Sequence, residues 1–118
     1  MTLSELIPAL RESSSDPLVL GLIQLLEEWR ADASTTEDLR QSVERYFGNS
    51  WISSDPEHKQ VYSLWSTFRD ECIAGRGGMT MNERLFCFDL LQAWDEAPDE
   101  DARAVVRRKV DFASTLAR

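Results

Sequence analysis

Start signals for helices recur along this chain so often that they leave little room for any other element. Asp16-Pro17 and Asp55-Pro56 each set an amide-capping carboxylate before a proline suited to the first helical position. Thr2-x-x-Glu5 and Thr80-x-x-Glu83 have the form of a capping box, in which hydroxyl and carboxylate satisfy each other's backbone amides. Between these starts apolar residues return at steps of three and four. No segment sustains strand alternation, no Asn-Gly hairpin signal occurs, and no repeat of 20–50 residues is present. The pattern predicts an all-α fold, a compact single-domain bundle of about six helices over residues 1–118.

The first helix is expected from Thr2 or Ser4, with Leu3, Leu6, Ile7 and Leu10 on one face. Pro8 beyond its first turn predicts a helix that is short, kinked or late in starting. The second runs from Asp16 to about Ala31 and buries Leu18, Leu22, Leu25, Leu26 and Trp29, a stripe wide enough for a central position. The third is capped by Ser34 to Thr36, carries Leu39, Val43, Tyr46 and Phe47, and is expected to end on Gly48 in the left-handed conformation. A link bearing Trp51 and Ile52 follows, bulky enough to be pinned to the core. The fourth helix is expected from Asp55 to about Ala74, halted by Gly75-Arg76-Gly77-Gly78. The fifth is expected to run from Thr80 through Trp94, burying Leu85, Phe88 and Leu91, with Phe86 and Leu90 as further candidates. The sixth starts at Asp99, with Ala102, Val105, Val106, Val110 and Phe112 on its apolar side.

Charge narrows the functional classes. Asp and Glu number 21 against 13 Lys and Arg, giving a net charge of -8. Nucleic acid and anionic membrane both need cationic patches, so neither is expected as a direct partner. A basic protein is. With one histidine, His58, and no Ser or Cys placed to use it, the usual acid–base and metal chemistry has few candidates, and the sequence predicts no enzyme, no cofactor and no metal. Cys72 and Cys87 do not form a CxxC pair and read as small buried thiols. The start, Met-Thr-Leu-Ser-Glu, has neither a basic segment nor a long apolar one, so the expected location is cytoplasmic.

Three constellations remain. Asp95, Glu96, Asp99, Glu100 and Asp101 form the most acidic stretch. Part of it serves the next helix dipole, and the rest suits a docking edge for a basic partner. Its spacing is unlike a calcium loop, which needs alternating oxygen ligands and a central Gly. A smaller acidic set, Glu27, Glu28, Asp32, Glu37 and Asp38, could extend that edge. Gly75-Arg76-Gly77-Gly78 lacks the Gly-Lys-Ser/Thr of a phosphate loop and reads as a turn, although Arg76 and Arg84 could hold a carboxylate. Arg103, Arg107, Arg108 and Lys109 complement the end of the last helix and could pair with the chain's own acidic helices or with a second copy. The tryptophans, Trp29, Trp51, Trp65 and Trp94, read as packing anchors, with Trp94 or Trp51 the candidate exposed anchors at a binding face.

The stretch Gly78-Met79-Thr80-Met81-Asn82-Glu83-Arg84-Leu85, with Leu90-Leu91 and Trp94-Asp95 after it, resembles small bacterial immunity-type proteins, which neutralise toxins delivered by neighbouring cells. The likeness spans residues 78–110 and carries over no residue role. It implies a binding protein that blocks the active site of a basic toxin domain. Joined to the charge pattern, it makes the five carboxylates the steering surface. The alternative is a helical structural or regulatory module that self-associates, as a homodimer through its last helix.

Overall fold

The computed structural model describes residues 1–49 and 55–111 and is helical throughout, with no strand among the described residues. Seven α-helices are described where about six were expected. They are α1 (Leu3–Ser13), α2 (Pro17–Ala31), α3 (Thr36–Asn49), α4 (Asp55–Phe68), α5 (Met81–Cys87), α6 (Leu91–Glu96) and α7 (Glu100–Val110). A π turn over Arg69–Ile73 and a 3-10 turn over Ala74–Gly78 join α4 to α5. Trp51, Ile52 and Phe112 lie outside the described residues.

The capping chemistry explains most boundaries. Thr2 and Glu5 close the box at α1, where the Thr2 amide donates to Glu5 Oε1 at 2.8 Å. Asp16 Oδ1 accepts from the Leu18 amide at 2.9 Å, with Pro17 in the first turn. Thr35 and Asp38 exchange side-chain and amide bonds ahead of α3, at 3.1 and 3.2 Å. Thr80 and Glu83 do the same for α5. Pro8 does not shorten α1. The helix runs through it, with Leu3, Leu6, Ile7 and Leu10 buried on both sides of the proline, so apolar burial outweighs one missing amide.

Two expected helices are divided. The fourth was expected to stay regular to about Ala74, but its α register ends at Phe68. The Ala74 amide then reaches back five residues to the Arg69 carbonyl, which inserts an extra residue into the turn. The fifth was expected to be continuous to Trp94, but it stops at Cys87. Asp89 takes a left-handed backbone (φ 57°), the Leu90 amide bonds the Leu85 carbonyl at 2.8 Å, and the Asp89 amide bonds the Phe86 carbonyl at 3.2 Å. These are the two bonds of a Schellman ending, with Leu90 packing beside Leu85 in the core. At Gly48 the reverse holds. It lies inside α3, which continues to Asn49, and no described glycine has a positive φ.

α1 packs on α2 and α4, α2 on α3, and α5, α6 and α7 on one another. A line of rings ties these groups together. Trp65 and Phe68 lie 5.9 Å apart, Phe68 and Phe88 5.6 Å in an edge contact, and Phe88 and Trp29 5.5 Å. On α2 the fully buried stripe is Val19, Leu22, Ile23, Leu26 and Trp29, while Leu18 and Leu25, expected inside, are half-buried. Ala102, Val105 and Val106 of α7 are half-buried as well, and Val110 is the apolar residue of that helix that is fully enclosed. Phe86 and Leu91 correct the expectation for the fifth helix. Phe86 is 60% exposed and Leu91 36%, because the break at Asp89 turns Leu90 inward in their place.

Candidate functional site

The five carboxylates of the acidic stretch all lie exposed around the corner between α6 and α7. Asp95 and Glu96 end α6, and Ala97-Pro98 turns the chain. Asp99 caps α7 by accepting from the Ala102 amide at 2.9 Å, while Glu100 and Asp101 occupy the first helical turn. Only weak tethers hold the rest. Gln92 donates to Glu96 at 2.9 Å, and Arg103 stands 3.9 Å from Glu100. One corner therefore joins the positive end of a helix dipole to five carboxylates whose oxygens face water.

Trp94 sits behind that corner rather than projecting from it. Its ring is half-buried against the core, and the guanidinium carbons of Arg103 and Arg107 lie 5.4 and 5.7 Å from its centroid. Trp51, the other candidate anchor, lies outside the described residues. The cations of α7 thus divide their tasks. Arg103 and Arg107 cover Trp94, Arg108 is exposed, and Lys109 is buried with its ammonium against Asp32.

Beside the corner runs a groove of about 430 Å³ between α2 and α6, bordered by Glu27, Arg30, Asp89, Gln92 and Glu96. Arg30 and Asp89 form an ion pair across it. Glu27, from the second acidic set, also meets Arg11 at 3.5 Å. The structure scatters the rest of that set. Asp32 is bound to Lys109, Glu37 holds Arg40 at 2.6 Å, and Asp38 belongs to the cap of α3. Glu28 is exposed and accepts from Gln24 at 3.1 Å, so of this set Glu27 alone borders the groove beside the acidic corner.

A larger cleft, about 800 Å³, opens between α3 and the π turn, with Glu37, Arg40, Glu44, Arg69 and Arg76 on its walls. Glu44 is its hub. Tyr62 donates to it at 3.2 Å, Trp65 Nε1 at 2.8 Å and Arg69 at 3.0 Å. Burial pushes the Glu44 carboxyl up, but the bonds from Trp65, Arg69 and Tyr62 outweigh it and hold the group below its ordinary range. Arg76 is 4% exposed and donates to the Ile73 carbonyl at 2.7 Å, with Glu37 at 4.0 Å. Burial lowers its guanidinium, while Glu37 acts in the opposite direction. Arg84 does not join Arg76 in a carboxylate clamp. It donates to the Arg76 carbonyl at 2.8 Å instead. With each guanidinium already held by a carboxylate or carbonyl, the cleft is an internal ion-pair lattice that an incoming anion would have to break.

The Glu44 hub was not anticipated, although a trace of it was available. Tyr62, Trp65 and Arg69 follow at steps of three and four, so three donors share one side of the α4 end, awaiting an acceptor on a neighbouring helix. His58 is half-buried with its ring edge-on to Phe47 at 5.9 Å. Among the described residues no three His, Cys, Asp or Glu side chains are grouped to hold a metal ion, and no helix is long and apolar enough to cross a membrane. No family model, characterised protein or solved structure matches the chain.

Proposed function

We propose that this chain is a non-enzymatic, cytoplasmic binding protein of the bacterial immunity type, and that its α6–α7 corner docks a basic toxin domain and covers its active site. The observation that carries this reading is the exposure of Asp95, Glu96, Asp99, Glu100 and Asp101 on one corner, with Glu27 and Glu96 continuing the negative surface along the adjoining groove. Such a field raises the rate of encounter with a cationic surface more than it raises final affinity. Lasting affinity needs buried apolar area near the centre of the contact, and Trp94 lies directly behind the carboxylates to provide it once Arg103 and Arg107 swing aside.

The test uses the product of the gene adjoining this one as partner. Association rates are measured at low and high salt for the wild type and for a variant with all five carboxylates changed to Lys. We expect a stable complex, a rate that falls roughly tenfold or more on charge reversal at low salt, and convergence of the two proteins at high salt, where the Debye length shrinks to about 3 Å at 1 M. No complex, or a rate indifferent to the reversal, defeats the proposal. Sedimentation over a concentration series tests the alternative, because association of the chain with itself would favour a structural module joined through α7.

A further inference from the structure

Three sulfur side chains from different parts of the chain line one groove of the molecule. Cys72 belongs to the π turn, Met79 follows the 3-10 turn, and Cys87 closes α5. All three line one groove of about 480 Å³, beside Met1, Asn82 and the exposed ring of Phe86. Cys87 Sγ lies 3.8 Å from Met79 Sδ. The Cys72 thiol donates to the Met1 carbonyl at 3.1 Å and lines the same groove as the Cys87 thiol.

The 3.8 Å between Cys87 Sγ and Met79 Sδ has a chemical meaning. Metal–sulfur bonds of about 2.3 Å, spread at about 120° around an ion, put neighbouring sulfurs about 4 Å apart. Two thiols and a thioether form a soft ligand set, which among biological cations favours Cu(I) over zinc, calcium or magnesium. Phe86 and the methionines give the groove a largely apolar wall beside the sulfurs. We propose that Cys72, Cys87 and Met79 form a three-sulfur site for a single Cu(I) ion.

Binding exchanges two S–H bonds for two copper–thiolate bonds and releases both protons to solvent, while the Met79 thioether joins without giving up a proton. Copper keeps its oxidation state throughout. In the metal-free chain the Cys72 thiol is held by its bond to the Met1 carbonyl, which copper would replace. Cys72 and Ile73 lie side by side in the buried surface of the π turn.

The test is anaerobic competition for Cu(I) against bicinchoninate with the full chain and reduced thiols. Bleaching of the bicinchoninate complex at one ion per monomer is the expected result. Loss of a direct ligand should cost more than the roughly 10–100-fold that loss of an outer-shell partner costs, so C72S and C87S should fail to compete. M79L, which keeps the size and apolar character of the side chain, should bind at least about tenfold more weakly. Circular dichroism checks that each variant folds. Cys87 and Met79 are only half-buried, so C87S and M79L carry the test if C72S unfolds. No uptake by the wild type, one ion shared between two chains, or M79L and C87S competing as well as the wild type would each overturn the site.

Discussion

The ammonium of Lys109 stands 4.0 Å from the ring centroid of Trp29 and donates to that residue's carbonyl oxygen at 2.6 Å. The same nitrogen reaches the carbonyls of Asp32 at 2.7 Å and Ser34 at 3.0 Å, and the Asp32 carboxylate at 3.3 Å. A cation from the last helix thus closes the carboxyl end of α2, where unbonded carbonyls and the negative end of the dipole both favour positive charge. Burial lowers the Lys109 ammonium and the Asp32 carboxylate opposes that effect.

This arrangement predicts a particular response to substitution. A buried ion pair can often be replaced by apolar residues at little cost when both partners are removed. Here three of the four acceptors are backbone carbonyls that no substitution removes. Lys109→Met keeps the stem and loses the ammonium; the Trp29 carbonyl keeps the Asp32 amide, while the Asp32 and Ser34 carbonyls lose the Lys109 donor. Urea denaturation should show a loss of about 3 kcal/mol relative to the wild type. A Lys109→Met protein as stable as the wild type would show that the ammonium contributes nothing at this helix end.

Glu44 gives the fold a defined acid sensitivity. Its folded-state value lies below the ordinary carboxyl value of about 4.3, so its ionised form favours the native state. That contribution is complete above the unfolded value and disappears as pH falls through the lower folded one. Glu44→Gln mimics the protonated group and offers an amide N–H to Arg69, which can only donate. With the Glu44 side chain 32% exposed, solvent screening trims the effect, and the variant should lose about 1 to 2 kcal/mol at pH 7. The gap should close as pH drops below about 4. Thermal melts at pH 7 and pH 3 check the sign, and an equal gap at both values would contradict it.

The sequence disclosed helix starts better than helix ends, for a physical reason. Starts are written in side chains, since Asp16, Thr35 and Thr80 each satisfy a nearby amide with an oxygen of their own and Glu5 does so for the Thr2 amide. Ends are written in backbone angles, for which glycine is the usual sign. Asp89 enters the left-handed region without being glycine, held there by the Leu90 and Leu85 contact and by its ion pair with Arg30. Gly48 displays the sign and does not stop its helix. The acidic corner was legible because its residues lie within seven positions of one another and the Asp99 cap sets the turn between them. The Glu44 hub, the Lys109 cap and the sulfur cluster were not, because each joins residues of separate elements through packing that periodicity alone does not specify.

Gly21 and Tyr46 form the last coupled pair. The Tyr46 hydroxyl donates to the Leu18 carbonyl at 2.6 Å and crosses the surface of α2 where residue 21 has no side chain. A Cβ at Gly21 would meet that hydroxyl at 2.5 Å, whereas the Tyr46 Cζ behind it lies at an ordinary 3.5 Å. Alanine in a helix interior normally gains about 1 kcal/mol over glycine. In Gly21→Ala the ring must move and its hydrogen bond is lost, so the gain should be cancelled and the protein should become less stable by roughly 1 kcal/mol. In a Tyr46→Phe background the obstructing oxygen is gone, and the same alanine should stabilise by up to about 1 kcal/mol. A double-mutant cycle by urea denaturation reads the sign change directly. If Gly21→Ala has the same effect with Tyr or Phe at position 46, glycine is not required by the hydroxyl's approach to α2.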